Sequence, residues 1–369
     1  MKILYITTVG STMGFFYEHF RMLIENGCEI ELACGNAKPI RENVATLGLP
    51  THTISFSRTP FSKDNLKAYK QLKAVIEKGN YDIVHCHTPN ASAITRLVCR
   101  KFRKKNGLKV FYTAHGFHFY KGAPLKNWLL YYPVEKFCSY FTDKLITINQ
   151  EDFALAKKKM RAKDVLYVPG VGVDLSKFEN VQVDRMAKRK EIGVPEDAFL
   201  LISVGELSVR KNHKVVIDAL AQMECKNIYY AIAGEGILLD ELKDRAKTNG
   251  VFDKVFFLGY RKDITELYKA ADLCCLPSIH EGLPVAVMEA MACGLPCVVS
   301  KIRGNVDLID TDGGFISEFD NVKGFADAIA IMNSKSDLRK SMGEYNNQRS
   351  HMYDINIIVQ KMKEVYEIG

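Results

Sequence analysis

Val165-Leu166-Tyr167-Val168-Pro169-Gly170-Val171-Gly172-Val173-Asp174 closes one series of strand and helix signals and precedes a second. A proline and two glycines in quick succession have the composition of a hinge. Upstream, short β-branched runs alternate with longer amphipathic stretches, the pattern of βαβ units around a parallel sheet. The strand candidates are Ile3–Val9, Cys28–Ala33, Thr51–Ile54, Asp82–Cys86, Lys109–Thr113, Lys144–Ile148 and Val165–Val168. Helices are expected at Phe15–Asn26, with Gly27 as C-cap, and at Lys63–Lys78, Asn90–Lys105, Leu125–Tyr140 and Gln150–Arg161. Downstream come strands at Leu200–Val204, Ile228–Ala233, Val255–Leu258, Leu273–Leu276 and Pro296–Ser300, and a closing helix from about Ile355 to Glu367. At 369 residues the chain exceeds what one hydrophobic core usually supports. The expectation is two doubly wound, Rossmann-like α/β domains facing an interdomain cleft. Ligands of such sheets sit outside the carboxyl ends of the strands, so the chemistry belongs in the loops that follow them.

With 47% apolar and 25% charged residues the composition is that of a globular protein, not a disordered one. Ten cysteines, Cys225 among them, are scattered through apolar segments without a CxxC pair or a zinc-like His/Cys cluster. They read as reduced core thiols of a cytoplasmic protein. No stretch approaches the roughly 20 apolar residues of a membrane span. Lys2–Val9 is too short for a signal peptide and runs into a glycine turn, so it reads as the first strand. Residues 1–173 carry 26 Lys/Arg against 13 Asp/Glu, and the remainder 25 against 30. The basic half suits an anionic membrane surface or a pyrophosphate-linked substrate as well as a merely solvated surface.

Ser278-Ile279-His280-Glu281-Gly282-Leu283-Pro284-Val285 follows a strand and leads into a helical run through Glu289 to Cys293. Proline suits the first turn of a helix, and free amides behind a glycine suit a diphosphate. Were both glutamates helical, eight positions would separate them by roughly 12 Å along the axis. A pair of glycosidase carboxylates should stand about 5–10 Å apart. The wider spacing better fits a sugar ring and a ribose bridged by a diphosphate, although two helix-surface glutamates would read the same way. Ser203-Val204-Gly205-Glu206-Leu207-Ser208-Val209-Arg210-Lys211-Asn212-His213 ends the first strand of the second half. Gly205 lets the backbone turn close to a ligand, and Arg210 and Lys211 put two cations at the start of the next helix, where a pyrophosphate could use them.

Taken in order, the Gly205–Asn212 segment, Ala233-Gly234-Glu235-Gly236, Phe257-Leu258-Gly259 and Glu281–Glu289 resemble glycosyltransferase family four. The likeness covers the whole chain, including Asp82-Ile83-Val84-His85-Cys86-His87 and Val168–Asp174. Thr113-Ala114-His115-Gly116-Phe117-His118 and Ile148-Asn149-Gln150-Glu151-Asp152 look like the capsular and exopolysaccharide enzymes of that family. The resemblance implies a GT-B fold: an acceptor-side domain at 1–173, a nucleotide-sugar domain at 174–350, and a C-terminal helix, about 351–369, packed back on the first. It implies a retaining, metal-independent transfer from a nucleoside-diphosphate sugar, UDP foremost, to a polyprenyl-diphosphate-linked saccharide, with no cofactor.

Carried over, Lys211 and Arg210 hold the diphosphate, Glu289 the ribose hydroxyls and Glu281 the donor sugar. The amides of Gly282, Leu283, Pro284 and Val285 line sugar and phosphates. Gly205, Gly234, Gly236, Gly259, Tyr260 and Arg261 shape the nucleotide pocket. His115 reaches the donor sugar across the cleft, and Gly14, in Val9–Gly14, belongs to a flexible loop near the donor phosphates and the acceptor. Catalysis is expected of His115, Glu281 and Lys211. Many members have arginine where this chain has Glu206, which leaves open whether Arg210 makes up that charge.

The basic clusters Arg100–Lys105 and Lys157–Arg161, with the aromatic segment Asn127–Tyr132, could hold an anionic headgroup surface at the inner face of the cytoplasmic membrane and a polyprenyl-diphosphate-linked acceptor. They could equally be solvated helix faces and ordinary core. Asp310-Thr311-Asp312 matches a D-x-D metal motif, but beside Gly313-Gly314 it reads as a turn. There is no Walker loop and no complete G-x-G-x-x-G, and the basic clusters lack the interleaved aromatics of a nucleic-acid module. A UDP-sugar epimerase and a non-catalytic nucleotide-sugar-binding subunit are the rival readings.

Overall fold

The computed structural model describes every residue except 58, 60, 61, 180, 225, 226 and 369, so Cys225 lies outside the described residues. The chain forms two compact units, Met1–Val171 with Ile355–Gly369, and Gly172–Asp354. The first holds a seven-stranded parallel sheet. Its strands are β1 (Lys2–Val9), β2 (Glu29–Gly35), β3 (Thr51–Thr53), β4 (Ile83–His87), β5 (Lys109–Ala114), β6 (Lys144–Thr147) and β7 (Asp164–Tyr167). They lie in the order β3-β2-β1-β4-β5-β6-β7. The second unit has β8 (Phe199–Val204), β9 (Ile228–Ala233), β10 (Val255–Gly259), β11 (Leu273–Leu276), β12 (Cys297–Ser300) and β13 (Gly314–Ser317), ordered β10-β9-β8-β11-β12-β13. In each sheet the order reverses once, between β1 and β4 and between β8 and β11. These are the switch points at which doubly wound sheets bind ligands.

The central strands are buried along their length, as parallel strands covered by helices on both faces must be. Helices run at Asp64–Gly79, Pro89–Asn106, Leu125–Ser139, Gln150–Lys159 and Ile355–Tyr366, within a residue or two of their sequence-based bounds. Two places differ. The first expected helix starts late, because Gly10–Phe16 forms a 3-10 turn and the α-helix spans Tyr17–Glu25. Strand β13 was not anticipated: Gly313 and Gly314 read as turn, yet Gly314 is already the first paired residue, against Cys297. The nine described cysteines are free thiols, eight of them buried and Cys293 half-buried.

The closing helix belongs to the first unit. Ile358, Met362, Val365 and Tyr366 join the cluster built on Ile3, Tyr5, Phe16 and Phe20. Lys144 Nζ donates to Val365 O and to a Glu367 carboxylate oxygen, both at 2.6 Å. The helix Pro89–Asn106 is tied to Leu125–Ser139 by a buried ion pair, Arg96 Nη2 to Glu135 Oε2 at 2.8 Å. The Arg96 guanidinium lies 4.2 Å from the centre of the Tyr112 ring, and its Nε donates to Ser92 O. A buried pair of this kind needs such extra partners to offset its desolvation.

Candidate functional site

The loops after β8 and β11 meet at the switch point of the second sheet. Ile279 N donates to Arg210 O at 2.8 Å, Asn212 Nδ2 to Pro277 O at 3.0 Å, and Arg210 Nη1 to His280 O at 3.3 Å. Arg210 and Lys211 lie in the turn before the helix Lys214–Gln222 instead of on its first residues. Glu281 sits in the turn before the helix Val285–Ala292, and Pro284 is the N-cap of that helix instead of lying in its first turn. Helical rise therefore does not set the spacing of the two glutamates. The amides of Val287 and Met288 are already bonded to Pro284 O. Those of the preceding turn form the positive end of the helix.

The two cations converge on one acid. Arg210 Nη1 stands 2.7 Å and Lys211 Nζ 2.9 Å from Glu281 Oε1. Lys211 and Glu281 are buried, whereas Arg210 is exposed. Burial pushes the Glu281 carboxyl up, but Lys211 and Arg210 outweigh it and leave the group below its ordinary value. Expected on the donor sugar, Glu281 is thus also the counter-ion of both phosphate-binding candidates. Beneath it, Arg303 is buried, with Nε 3.2 Å from Glu281 O and Nη2 2.6 Å from His280 Nε2. Glu206 is exposed, and Arg210 is paired with Glu281.

The glycine loops are laced backbone to backbone. Gly205 N donates to Ala233 O, Leu207 N to Glu235 O, Leu238 N to Leu207 O, and Gly234 N to Gly259 O, at 2.8 to 3.1 Å. A Cβ at Gly234 would lie 1.9 Å from Gly205 O, and one at Gly236 2.3 Å from Leu207 O. These glycines are required first by close approach of neighbouring chain. Tyr260 beyond them is exposed, while Arg261 is held at 2.5 Å by both Glu191 and Asp263. Leu283 is buried.

Glu289 is half-buried on the helix Val285–Ala292. Burial pushes its carboxyl up to about 7, against a smaller opposing pull from Lys177. Asp310 and Asp312 do form a turn: Asp310 Oδ1 accepts from Asp312 N, and Oδ2 from Tyr345 OH and Arg349. Among the described residues no group of three or more His, Cys, Asp and Glu is arranged to hold a metal ion.

In the first unit His115 follows β5, and its Nε2 lies 3.0 Å from His87 Nδ1 at the end of β4. One of the two rings donates and the other accepts. His85 bonds Tyr366 OH through Nδ1 and Thr113 Oγ1 through Nε2. Burial holds His115 and His19 down at about 4 and His85 and His87 well below their ordinary value, so the cluster is neutral near pH 7. His87, given no role by the sequence reading, is the partner that orients His115. Gly14 lies in the 3-10 turn with the Arg41 side chain over it and the Arg41 guanidinium 4.7 Å from the Phe15 ring centre.

The segment 127–132 divides. Trp128, Tyr131 and Tyr132 pack against the core, with Trp128 Nε1 donating to Tyr120 O, while Leu129 is 70% exposed. Of the basic clusters, Arg103 is committed to Asp143 through two bonds of 2.5 and 2.8 Å. Among the described residues no helix is long and apolar enough to cross a membrane.

Residues 2–149 match the family described as glycosyl transferase 4-like, and residues 184–349 that of glycosyl transferases group 1. A putative glycosyltransferase, EpsD, from Bacillus subtilis (strain 168) is 36% identical over 371 residues, 99% of this chain and 96% of that one. The UDP-Gal:alpha-D-GlcNAc-diphosphoundecaprenol alpha-1,3-galactosyltransferase of Escherichia coli is 29% identical, over 95% and 91% of the two chains. Among solved structures, Anabaena Alr3699/HepE in complex with UDP and glucose superposes with a TM-score of 0.81 at 20% identity, covering 100% of this chain and 99% of that one. That likeness shows the GT-B fold class.

Proposed function

Since this chain belongs to glycosyltransferase family four, we propose that it is a retaining enzyme moving a sugar from a UDP-sugar to a polyprenyl-diphosphate-linked saccharide in capsule or exopolysaccharide assembly. The observation that carries the donor reading is the pair Arg210 and Lys211 on Glu281 before the helix Val285–Ala292, at the β8/β11 switch point. Two cations and a helix N-terminus offer a diphosphate full and partial positive charge in one place, the role a metal plays elsewhere. The lipid-linked acceptor rests on the relatives, the galactosyltransferase of Escherichia coli above all.

In the proposed reaction the bond between the anomeric carbon and the β-phosphate oxygen breaks. The acceptor oxygen bonds to that carbon on the same face, and its proton passes to the departing phosphate, so that UDP leaves. Negative charge grows on the diphosphate, and Lys211, Arg210 and the amides of Gly282, Leu283 and Val285 stabilise it. Neutral His115, oriented by His87, meets a sugar hydroxyl, and Glu289 takes the ribose hydroxyls.

The enzyme would work as a peripheral protein at the inner face of the cytoplasmic membrane. Supporting this, the helix Leu125–Ser139 is apolar on its outer side too, with Leu125 73%, Leu129 70%, Val134 46% and Phe137 52% exposed. Lys126 and Lys136 lie between them, and a basic helix with an exposed apolar face suits an anionic interface.

A thermal-shift screen against UDP, GDP, ADP and their sugars tests the donor. UDP compounds are expected to raise the melting temperature most, and a response to none of the three nucleotides removes the reading. Glu289 adds a pH signature. A UDP-sugar carries a pyrophosphate esterified at both ends, so it does not titrate near neutrality. If the charged carboxylate is the form that holds ribose, UDP-sugar affinity rises about tenfold between about pH 6 and pH 8. The same carboxyl binds more protons folded than unfolded between its ordinary value and about 7, so its contribution to stability is greatest below that window and falls as pH rises through it. In Glu289→Gln both trends should flatten. A wild-type affinity that does not change with pH counts against this role.

A further inference from the structure

A third loop reaches the donor site, from β12, the neighbour of β11 on the side away from β8. β11 and β12 run parallel, with Cys274 opposite Cys297, so the segments that follow them leave the sheet at the same end. The turn 301–304 folds back on residues 278–283. Ser300 Oγ donates to Ser278 O, and a Cβ on Gly304, where φ is 80°, would lie 2.4 Å from Gly282 O. That main-chain approach buttresses the turn in front of the helix Val285–Ala292.

Arg303 is the charged member of that turn that goes inward, only 4% exposed. Its Nε donates to Glu281 O at 3.2 Å and its Nη2 to His280 Nε2 at 2.6 Å. The second contact decides where the imidazole carries its hydrogen. A guanidinium has five N–H donors and no acceptor, so Nε2 presents its lone pair. The hydrogen of the ring therefore stands on Nδ1, which can only donate. The next residue, Glu281, carries a carboxylate, which can only accept. Residue 280 is also tied to the cations, because its carbonyl oxygen takes Arg210 Nη1 at 3.3 Å. The ring itself is half-buried and keeps part of its surface open.

We infer that His280 is a specificity-determining residue for the donor sugar, with Arg303 as the positioning residue that fixes its tautomer. The inference rests on the UDP-sugar reading of this site and adds to it a second group that addresses the sugar. A hydroxyl both gives and takes a hydrogen bond. Hydroxyls of the sugar that donate to Glu281 and accept from His280 Nδ1–H satisfy two neighbouring side chains of opposite hydrogen-bonding sense. The opposite tautomer would set an Nε2–H against the Arg303 N–H, two donors with no acceptor between them. Arg303 thus gives His280 one fixed sense, and a sugar lacking the matching oxygen would leave that donor unanswered.

Calorimetry on the full chain with UDP, UDP-glucose, UDP-galactose and UDP-N-acetylglucosamine sets the reference, and the tightest-binding sugar nucleotide is carried through the variants. His280→Gln keeps a side-chain oxygen for Arg303 and removes the Nδ1–H donor. It is expected to bind UDP within about threefold of the wild type and the UDP-sugar about tenfold more weakly, the scale of one lost hydrogen bond. In an Arg303→Met background the same His280 change should cost less than about twofold, because the tautomer is no longer held. Nitrogen-15 spectra of the wild type should show Nδ1 protonated and Nε2 bare, a signature that Arg303→Met loses. Unchanged UDP-sugar affinity in His280→Gln, an equal loss for UDP, or an Nε2–H tautomer in the wild type overturns the role of His280. An undiminished tenfold cost in the Arg303→Met background removes Arg303 from it. A wild type that takes UDP but no sugar nucleotide, or none of the four compounds, instead overturns the donor reading on which the inference rests.

Discussion

Replacing Lys211 with alanine is expected to lower kcat/KM for the UDP-sugar by about 10²- to 10³-fold, the scale on which removing one preorganised charge-stabilising group acts. Two losses coincide in this variant. At the proposed donor site the Lys211 ammonium is buried, whereas Arg210 is exposed and shares its charge with solvent. Without Lys211, Glu281 is a buried carboxylate facing only that exposed partner, and its own pKa climbs as burial wins. Arginine is not expected to rescue the site. The Lys211 side chain runs across Gly205, where an added Cβ would lie 2.9 Å from Lys211 Cε, and a longer, planar guanidinium would not set its charge where the compact ammonium stands. The comparison to make is donor affinity by calorimetry alongside single-turnover rates for the wild type, Lys211→Ala and Lys211→Arg. Wild-type affinity and rate in the alanine variant would remove Lys211, and with it the diphosphate, from this loop.

Much of that site could be read from the sequence because its parts are short contiguous segments that end strands. Gly205–His213 and Ser278–Glu289 each carry their turn chemistry and their charges within a dozen residues, and β-branched runs mark the strands in front of them. What the sequence did not disclose is which charges spend themselves on each other. Glu281 and Lys211 are 70 positions apart, and only the β8/β11 pairing brings them within 2.9 Å. Arg261 shows the same limit: it reads as a pocket residue, yet Glu191 and Asp263 hold its guanidinium. His87 was within reach of sequence reasoning, since the two-residue period of a strand puts His85 and His87 on one face of β4. The neighbour that gives His87 its meaning, His115, comes just after the next strand in the sheet. Strand β13 was hidden by its glycine start, where turn propensity and pairing to Cys297 point in opposite directions and the tertiary partner wins.

Gly234→Ala should be among the most damaging single-methyl changes in the C-terminal unit. Glycines in phosphate-binding motifs are easily taken as space left for a ligand, but here the space is already filled by protein. A Cβ at 234 would sit 1.9 Å from Gly205 O and 2.7 Å from the carbonyl carbon, both main-chain atoms that no rotamer change can move aside. The backbone there has φ 158°, at the edge of what an L-residue accepts. Overpacking and backbone strain together are expected to cost about 3 kcal/mol or more of unfolding free energy. Gly250 provides the control: its φ is 68°, with nothing within 4 Å of a Cβ, so Gly250→Ala carries strain alone and should cost about 1 kcal/mol. Because Gly205 O belongs to the loop that carries Arg210 and Lys211, any relief of the clash moves those cations as well. UDP affinity should therefore fall in Gly234→Ala and hold in Gly250→Ala. Urea midpoints and calorimetric UDP titrations of the two variants separate these effects. Equal stability and equal UDP affinity would mean that the loops after β8 and β9 do not meet as closely as 1.9 Å requires, and that the glycine at 234 serves the ligand directly.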